Sequence, residues 1–262
     1  MKKTTRIIFI LIFILLLLSV VSIYNYSSGN NKISDFKISD QSKKIKEASK
    51  YGDEVVGWLR VEGTNIDMAL IRANENTDLL KGDYDFAWTY SYPDDKGNRP
   101  AYISHNIRNV SSNPIIGDKT MKRFEQLMSF IYLDFVEKKQ FIEFTNSSGK
   151  TDIYRIFGVS LVKDDQNSAY LDTYTDDEQK RYIKKVRRES MFDIETSVES
   201  DDLMLTLFTC TRFYGPSTNY SFRIDARKIR DDEKLIYAKV RENDNYNKIK
   251  KQMKEGETNE KS

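Results

Sequence analysis

A chain of 262 residues with 42 basic and 40 acidic side chains, net +2, lacks the clustered basic excess that marks a nucleic-acid-binding protein. Its single cysteine excludes an intramolecular disulfide framework, and one cysteine with one histidine excludes an ordinary His/Cys zinc cage. With a short N-terminal segment set aside, about 200 residues remain to fold, which suits one domain better than two.

The first element in chain order is apolar. Residues 7–24, IIFILIFILLLLSVVSIY, carry no charge, and as a helix rising 1.5 Å per residue they nearly span a ~30 Å hydrocarbon core. Lys2, Lys3 and Arg6 precede the run, so the positive-inside rule predicts a single-pass signal anchor in the cell membrane, with a cytoplasmic N-terminus and an extracellular remainder. A cleaved signal peptide fits less well, because the run is long and no A-x-A-like site follows it. The expected organisation is a cytoplasmic tip and anchor at 1–26, a polar linker at 27–40, a folded domain at 41–230 and a charged tail at 231–262.

A short helix is predicted from Gln41 to Tyr51. VVGWLRVEGTNIDMALI then reads as two strands joined at Gly63-Thr64-Asn65. Further strands are expected at 99–107, 140–146, 152–162, 203–210 and 220–229, with NSSGK at 146–150 as a hairpin turn. Two helical windows interrupt them, within 119–135 and at 175–192. In the second, Thr175 followed by Glu178 forms a capping-box pattern, and Tyr182, Val186 and Phe192 offer an apolar face. Many short strands with two inserted helices predict a mainly β barrel or sandwich.

The single cysteine, Cys210, and the single histidine, His105, each end a strand-like run and precede a polar loop. A lone cysteine often serves as a small buried hydrophobe. An imidazole can also exchange a proton with a thiol, whose thiolate is then a nucleophile for acyl transfer. Spacing alone leaves both readings open. Acyl transfer also needs a cation or N–H groups at the developing oxyanion; Arg223 and Arg227 share one face of their strand, although surface charge is the commoner fate of arginine. The pairs Asp94-Asp95, Asp164-Asp165 and Asp201-Asp202 lack EF-hand spacing and read as loop solvation. A Gly-rich phosphate loop is absent, and nothing selects a carboxylate pair for glycoside hydrolysis.

TLFTC at 206–210 resembles the TLxTC strand ending of the sortases, a family with an arginine on the next strand and a histidine far upstream. EVVGWLRVEGTNIDMALI is similar to the family's N-terminal strand pair, and YISHN to its histidine segment. The helix at 175–192 stands where class B sortases insert one. The resemblance, over roughly residues 45–230, implies a mainly β, closed sortase-like barrel with an N-terminal helix and a helix inserted before the cysteine strand. It implies Cys210 as nucleophile, His105 as acid/base and Arg223 as the residue steadying the oxyanion or substrate, with Thr209 and Phe208 lining the substrate site.

Two departures stand out. Phe208 replaces a frequent serine, and the stretch from Cys210 to Arg223 is long. Counting back from ARKI puts the usual arginine position at Ser221; strand parity places Ser221, Arg223 and Arg227 on one face, so Arg223 is expected to serve, with Arg227 in reserve. The implied function is a membrane-anchored class B cysteine transpeptidase of the Gram-positive surface. It would cleave a C-terminal sorting motif of exported surface proteins through a thioester and join them to a cell-wall amine such as a peptidoglycan precursor. Alternatives are a pilin-polymerising sortase with a lysine acceptor and a catalytically weak binding module on the same fold. The chemistry calls for no metal or organic cofactor, and the partners expected are the sorting-motif proteins, the amine acceptor and the membrane, with no nucleic acid.

Overall fold

Eight strands close on themselves in a computed structural model that describes residues 33–52, 54–73, 85–90, 101–104, 124–163, 175–214 and 219–259. They are β1 (Val55–Val61), β2 (Asp67–Arg72), β3 (Ala87–Thr89), β4 (Ala101–Ile103), β5 (Phe141–Asn146), β6 (Thr151–Lys163), β8 (Met204–Thr211) and β9 (Tyr220–Lys228). Around the barrel the order is β1-β2-β3-β4-β8-β9-β6-β5, with β5 returning to β1. Neighbours are antiparallel except β2–β3 and β4–β8, which run parallel. The mainly β, closed barrel expected from the sequence is therefore present.

Side chains alternate through the barrel wall as a period of two requires. On β8, Leu205 and Leu207 enter the main core with Phe222, Ile224 and Ala226 of β9. Met204 and Phe208, on the opposite face, join separate outer clusters. The β5–β6 turn is built by Asn146, whose Oδ1 accepts from the backbone N–H groups of Ser148 and Lys150, and by Gly149, whose φ of 86° favours glycine.

The N-terminal helix α1 spans Ser42–Ala48 and runs on as a 3-10 turn over Ser49–Tyr51. The window at 119–135 differs from a simple α-helix: a 3-10 helix covers Glu125–Ile131 and a single α turn, α2, covers Leu133–Val136. All seven residues of that 3-10 helix are buried, so the segment has no solvent face to impose an amphipathic 3.6-residue period.

The third helix, α3 (Asp176–Glu189), starts with the expected capping box. Thr175 Oγ1 accepts from the Glu178 N–H, and the Glu178 carboxylate accepts from the Thr175 N–H at 2.8 Å. Its Tyr182 and Val186 pack on Phe157 and Met204 outside the barrel. The close approach is permitted by Gly158, where a Cβ would lie 2.2 Å from Val186 Cγ1. Phe192, placed on the helix face by sequence, instead begins β7 (Phe192–Ile194).

Packed elements occupy the segment that its charge marks as a tail. β10 (Val240–Glu242) pairs with β7, and α4 (Asp244–Asn259) puts Tyr246 and Ile249 into the main core. The Tyr237 hydroxyl lies 2.5 Å from both the Glu62 and Asp35 carboxylates. Dense charge around these few apolar residues hides their periodicity.

The single-pass membrane anchor is corrected. Among the described residues no helix is long and apolar enough to cross a membrane; the longest, α3 and α4, are rich in Lys, Asp and Glu. Residues 1–32, which carried that expectation, lie outside the described residues.

Candidate active site

Cys210 is the penultimate residue of β8 and its thiol side is exposed, whereas Thr209 and Thr211 on either side are buried. The inward face of β8 runs Leu205, Leu207, Thr209, Thr211, so threonine takes the inward positions at the strand end while Cys210, on the other face, meets solvent.

The β8–β9 register decides what stands beside that thiol. Cys210 pairs with Ser221, Phe208 with Arg223, Thr206 with Asp225 and Met204 with Arg227. Directly opposed residues share a face, with Cβ atoms about 5 Å apart. The immediate cross-strand neighbour of Cys210 is thus a serine. Ser221 is fully buried, and its Oγ has no hydrogen-bond partner among the described residues.

Arg223 lies one pair further along. Its Nε donates to Asp225 Oδ2 at 2.8 Å and its Nη2 to Glu189 Oε2 at 2.9 Å, and its guanidinium carbon sits 5.8 Å from the centre of the Tyr182 ring. Asp225 also accepts from Thr206 Oγ1 at 2.9 Å and from the Tyr182 hydroxyl. Burial alone pulls the Arg223 pKa down; the Asp225 and Glu189 carboxylates outweigh it and raise the pKa above the ordinary arginine value. Arg223 therefore fastens α3 to β9. Arg227, held in reserve, is fully buried and donates from Nη2 to Glu233 at 2.5 Å and from Nε to the Ser197 carbonyl at 2.8 Å. It stands opposite Met204, six residues along β8 from Cys210, or about 20 Å.

Phe208 packs with Trp88 and Ala73, joined by Val162, and builds an apolar wall on the face that carries Cys210. Thr209 is fully buried and its Oγ1 donates to the Ser104 carbonyl at 2.7 Å. β4 leads to this point in parallel with β8, ending at the Ile103–Phe208 pair. His105 lies outside the described residues. Beyond Cys210, Tyr220 pairs with Thr211, and the Tyr214 ring contacts those of Phe213 at 5.0 Å and Tyr220 at 4.5 Å, so aromatic contacts close the base of the β8–β9 connection.

Sequence reasoning missed Asp225, Glu189 and Tyr182 as partners of Arg223. One signal was present: in Arg223-Ile224-Asp225 a carboxylate follows at the spacing that shares a strand face. Glu189 and Tyr182 arrive by tertiary packing of α3. Two cavities formed by described residues, of about 270 and 480 Å³, are lined around Tyr237–Lys239 and share no residue with the Cys210 face.

An eight-stranded barrel with an exposed cysteine ending one strand, and a helix laid over the outer face beside it, defines a sortase-type fold. No family model matches the chain. Sortase B of Staphylococcus aureus is 25% identical over 174 residues, covering 64% of this chain and 68% of the relative. Sortase B of Listeria monocytogenes is 25% identical over 177 residues, covering 63% and 66%. Among solved structures, Clostridium perfringens sortase B matches with a TM-score of 0.59 at 21% identity, covering 71% of this chain and 99% of that one. A sortase B–substrate complex from Staphylococcus aureus matches with a TM-score of 0.58 at 19% identity, covering 73% and 88%. Sequence and fold agree in this likeness: the chain is similar to class B sortases at the sequence level and carries their barrel fold.

Proposed function

We propose that the chain is a cysteine transpeptidase that cleaves a sorting motif near the C-terminus of a protein substrate and passes the acyl group to an amine. Homology to sortase B supports a sortase transpeptidase in general, and a similar structure holds sortase B with a substrate. The observation that carries the reading is the Thr209–Ser104 hydrogen bond. It ties the residue before the exposed thiol to the residue before the only histidine. Ile103 and Phe208 are paired, and His105 and Cys210 each follow two positions later in sequence.

In this mechanism the Cys210 sulfur, having given its proton to His105, adds to the scissile carbonyl carbon. The tetrahedral oxyanion collapses, the C–N bond breaks, and His105 protonates the departing amine, leaving a thioester. The acceptor amine then attacks the thioester and loses a proton to His105, and the sulfur leaves as the new amide forms. Neither step consumes or releases electrons. The acceptor is a cell-wall amine, or in the pilin variant a lysine of another protein.

A second reading, a binding module with weak catalysis, is favoured by one observation: Arg223 is already engaged by two carboxylates. The deciding experiment incubates the protein with a library of C-terminal motif peptides together with triglycine or a lysine peptide, and reads ligated product by mass. Ligation abolished by Cys210→Ala supports the transpeptidase, and the acceptor used separates wall anchoring from pilin joining. Peptide binding without a covalent product supports the module.

A further inference from the structure

We infer that Arg212, rather than Arg223, brings positive charge to the Cys210 thiol and to the oxyanion formed there. The catalytic part of this inference rests on the transpeptidase reading; the placement of the charge does not.

The first observation is the burial pattern at the end of β8. Thr209, Thr211 and Phe213 are buried while Cys210 and Arg212 are exposed, so the two-residue alternation continues past the strand end. Cys210 and Arg212 thus face the same solvent region, with their backbones roughly 7 Å apart, a distance an arginine side chain can span. The backbone carrying Arg212 is fixed on both sides: Thr211 pairs with Tyr220, and the Phe213 N–H donates to Thr211 Oγ1 at 3.2 Å. Arg212 itself makes no ion pair with a described residue.

The second observation is the direction of Arg223. Its Nε is bound to Asp225, which stands two positions further from Cys210 along β9, and its Nη2 to α3. Turning it toward Cys210 would leave Asp225, 1% exposed, without its cation, and an unpaired buried carboxylate is strongly disfavoured.

The third observation is Ser221. The β9 position opposite the thiol is a serine, so no β9 guanidinium stands directly across from Cys210; the Ser221 Oγ is buried and has no hydrogen-bond partner among the described residues. The Arg212 guanidinium lies on the solvent side and keeps its five N–H groups for the substrate. Its charge is permanent, and its planar fork suits a developing acyl oxyanion as the Cys210 sulfur adds and before the amide nitrogen leaves.

The test has two arms. In the first, Cys210 is modified at low ionic strength with the anionic sulfonatoethyl and the cationic trimethylammonioethyl methanethiosulfonates, and the two rates are compared. Arg212→Gln is expected to lower the anionic-to-cationic ratio about fivefold, and Arg212→Lys to keep it. An unchanged ratio in Arg212→Gln overturns the placement whether or not any peptide is a substrate. In the second arm, with a peptide ligated by the unaltered protein, Arg212→Gln is expected to lower kcat about 100-fold at an unchanged melting temperature, with partial recovery in Arg212→Lys. Full ligation by Arg212→Gln overturns the catalytic role. A shifted thiosulfonate ratio in a protein that ligates no peptide would instead fault the transpeptidase reading and uphold the charge placement.

Discussion

Thr209 holds the Ser104 carbonyl at 2.7 Å, and through that one bond the residue before the cysteine is fastened to the residue before the histidine. Both groups are buried, so neither can exchange the bond for water. Thr209→Val keeps the shape and removes the donor. It should cost about 1–3 kcal/mol of stability, because the Ser104 carbonyl loses a partner. If His105 and Cys210 act as a pair, ligation should fall by more than the folded fraction does. A kcat equal to that of the unaltered protein, measured on folded material, would separate the bond from catalysis.

Arg223 should behave as a clamp. Its ion pairs with Asp225 and Glu189 are buried or half-buried. Arg223→Gln strands Asp225 and is expected to lose about 3–5 kcal/mol, read by denaturant unfolding. The double variant Arg223→Gln/Asp225→Asn should recover part of the loss. Equal stability in Arg223→Gln and the parent would contradict the clamp.

The seat of α3 depends on a missing side chain. At Gly158 a Cβ would fall 2.2 Å from Val186 Cγ1, so Gly158→Ala forces the helix outward. The expected cost is about 1–3 kcal/mol, and Gly158→Ala/Val186→Ala should restore part of it. Additive losses in the double variant would show that the two positions do not press on each other.

Acid should loosen the C-terminal elements through Glu233. Hydrogen bonds from Arg227 hold the Glu233 pKa down to about 2, from an ordinary 4.5. A depressed carboxylate stabilises the fold above its unfolded pKa and loses that contribution as pH falls from about 4.5 toward 2. Glu62 acts in the opposite sense, since burial raises its pKa and disfavours its ionised form. Glu233→Gln should therefore be less stable than the parent at pH 7, with the two unfolding curves converging as pH approaches 2. Curves that stay parallel across that window would contradict the assignment.

The long strands were legible because alternation and turn residues agree in them, as at Gly63-Thr64-Asn65 and NSSGK. β3, β7 and β10 span three residues each, too few for a period of two to stand out. Tyr237, Tyr246 and Ile249 were hidden because charged neighbours outnumber them along the chain, although in space they meet the core. At the site, the thiol and the shared face of Ser221, Arg223 and Arg227 could be read from parity. Which of the three lies opposite the thiol could not, because that depends on cross-strand register. Nor could the fate of Arg223, since one of its carboxylates comes from a helix that docks only in the folded barrel.

Whether Cys210 carries the acyl group is read by intact-mass measurement. The protein is mixed with a ligatable motif peptide without acceptor amine, quenched in acid within the first turnovers, and weighed. An acyl-enzyme gives a mass increase equal to the N-terminal peptide fragment less one water, located on Cys210, absent from Cys210→Ala and lost on adding triglycine as ligated product appears. Peptide cleavage with no adduct on Cys210, or an adduct that persists in Cys210→Ala, would contradict a Cys210 acyl-enzyme.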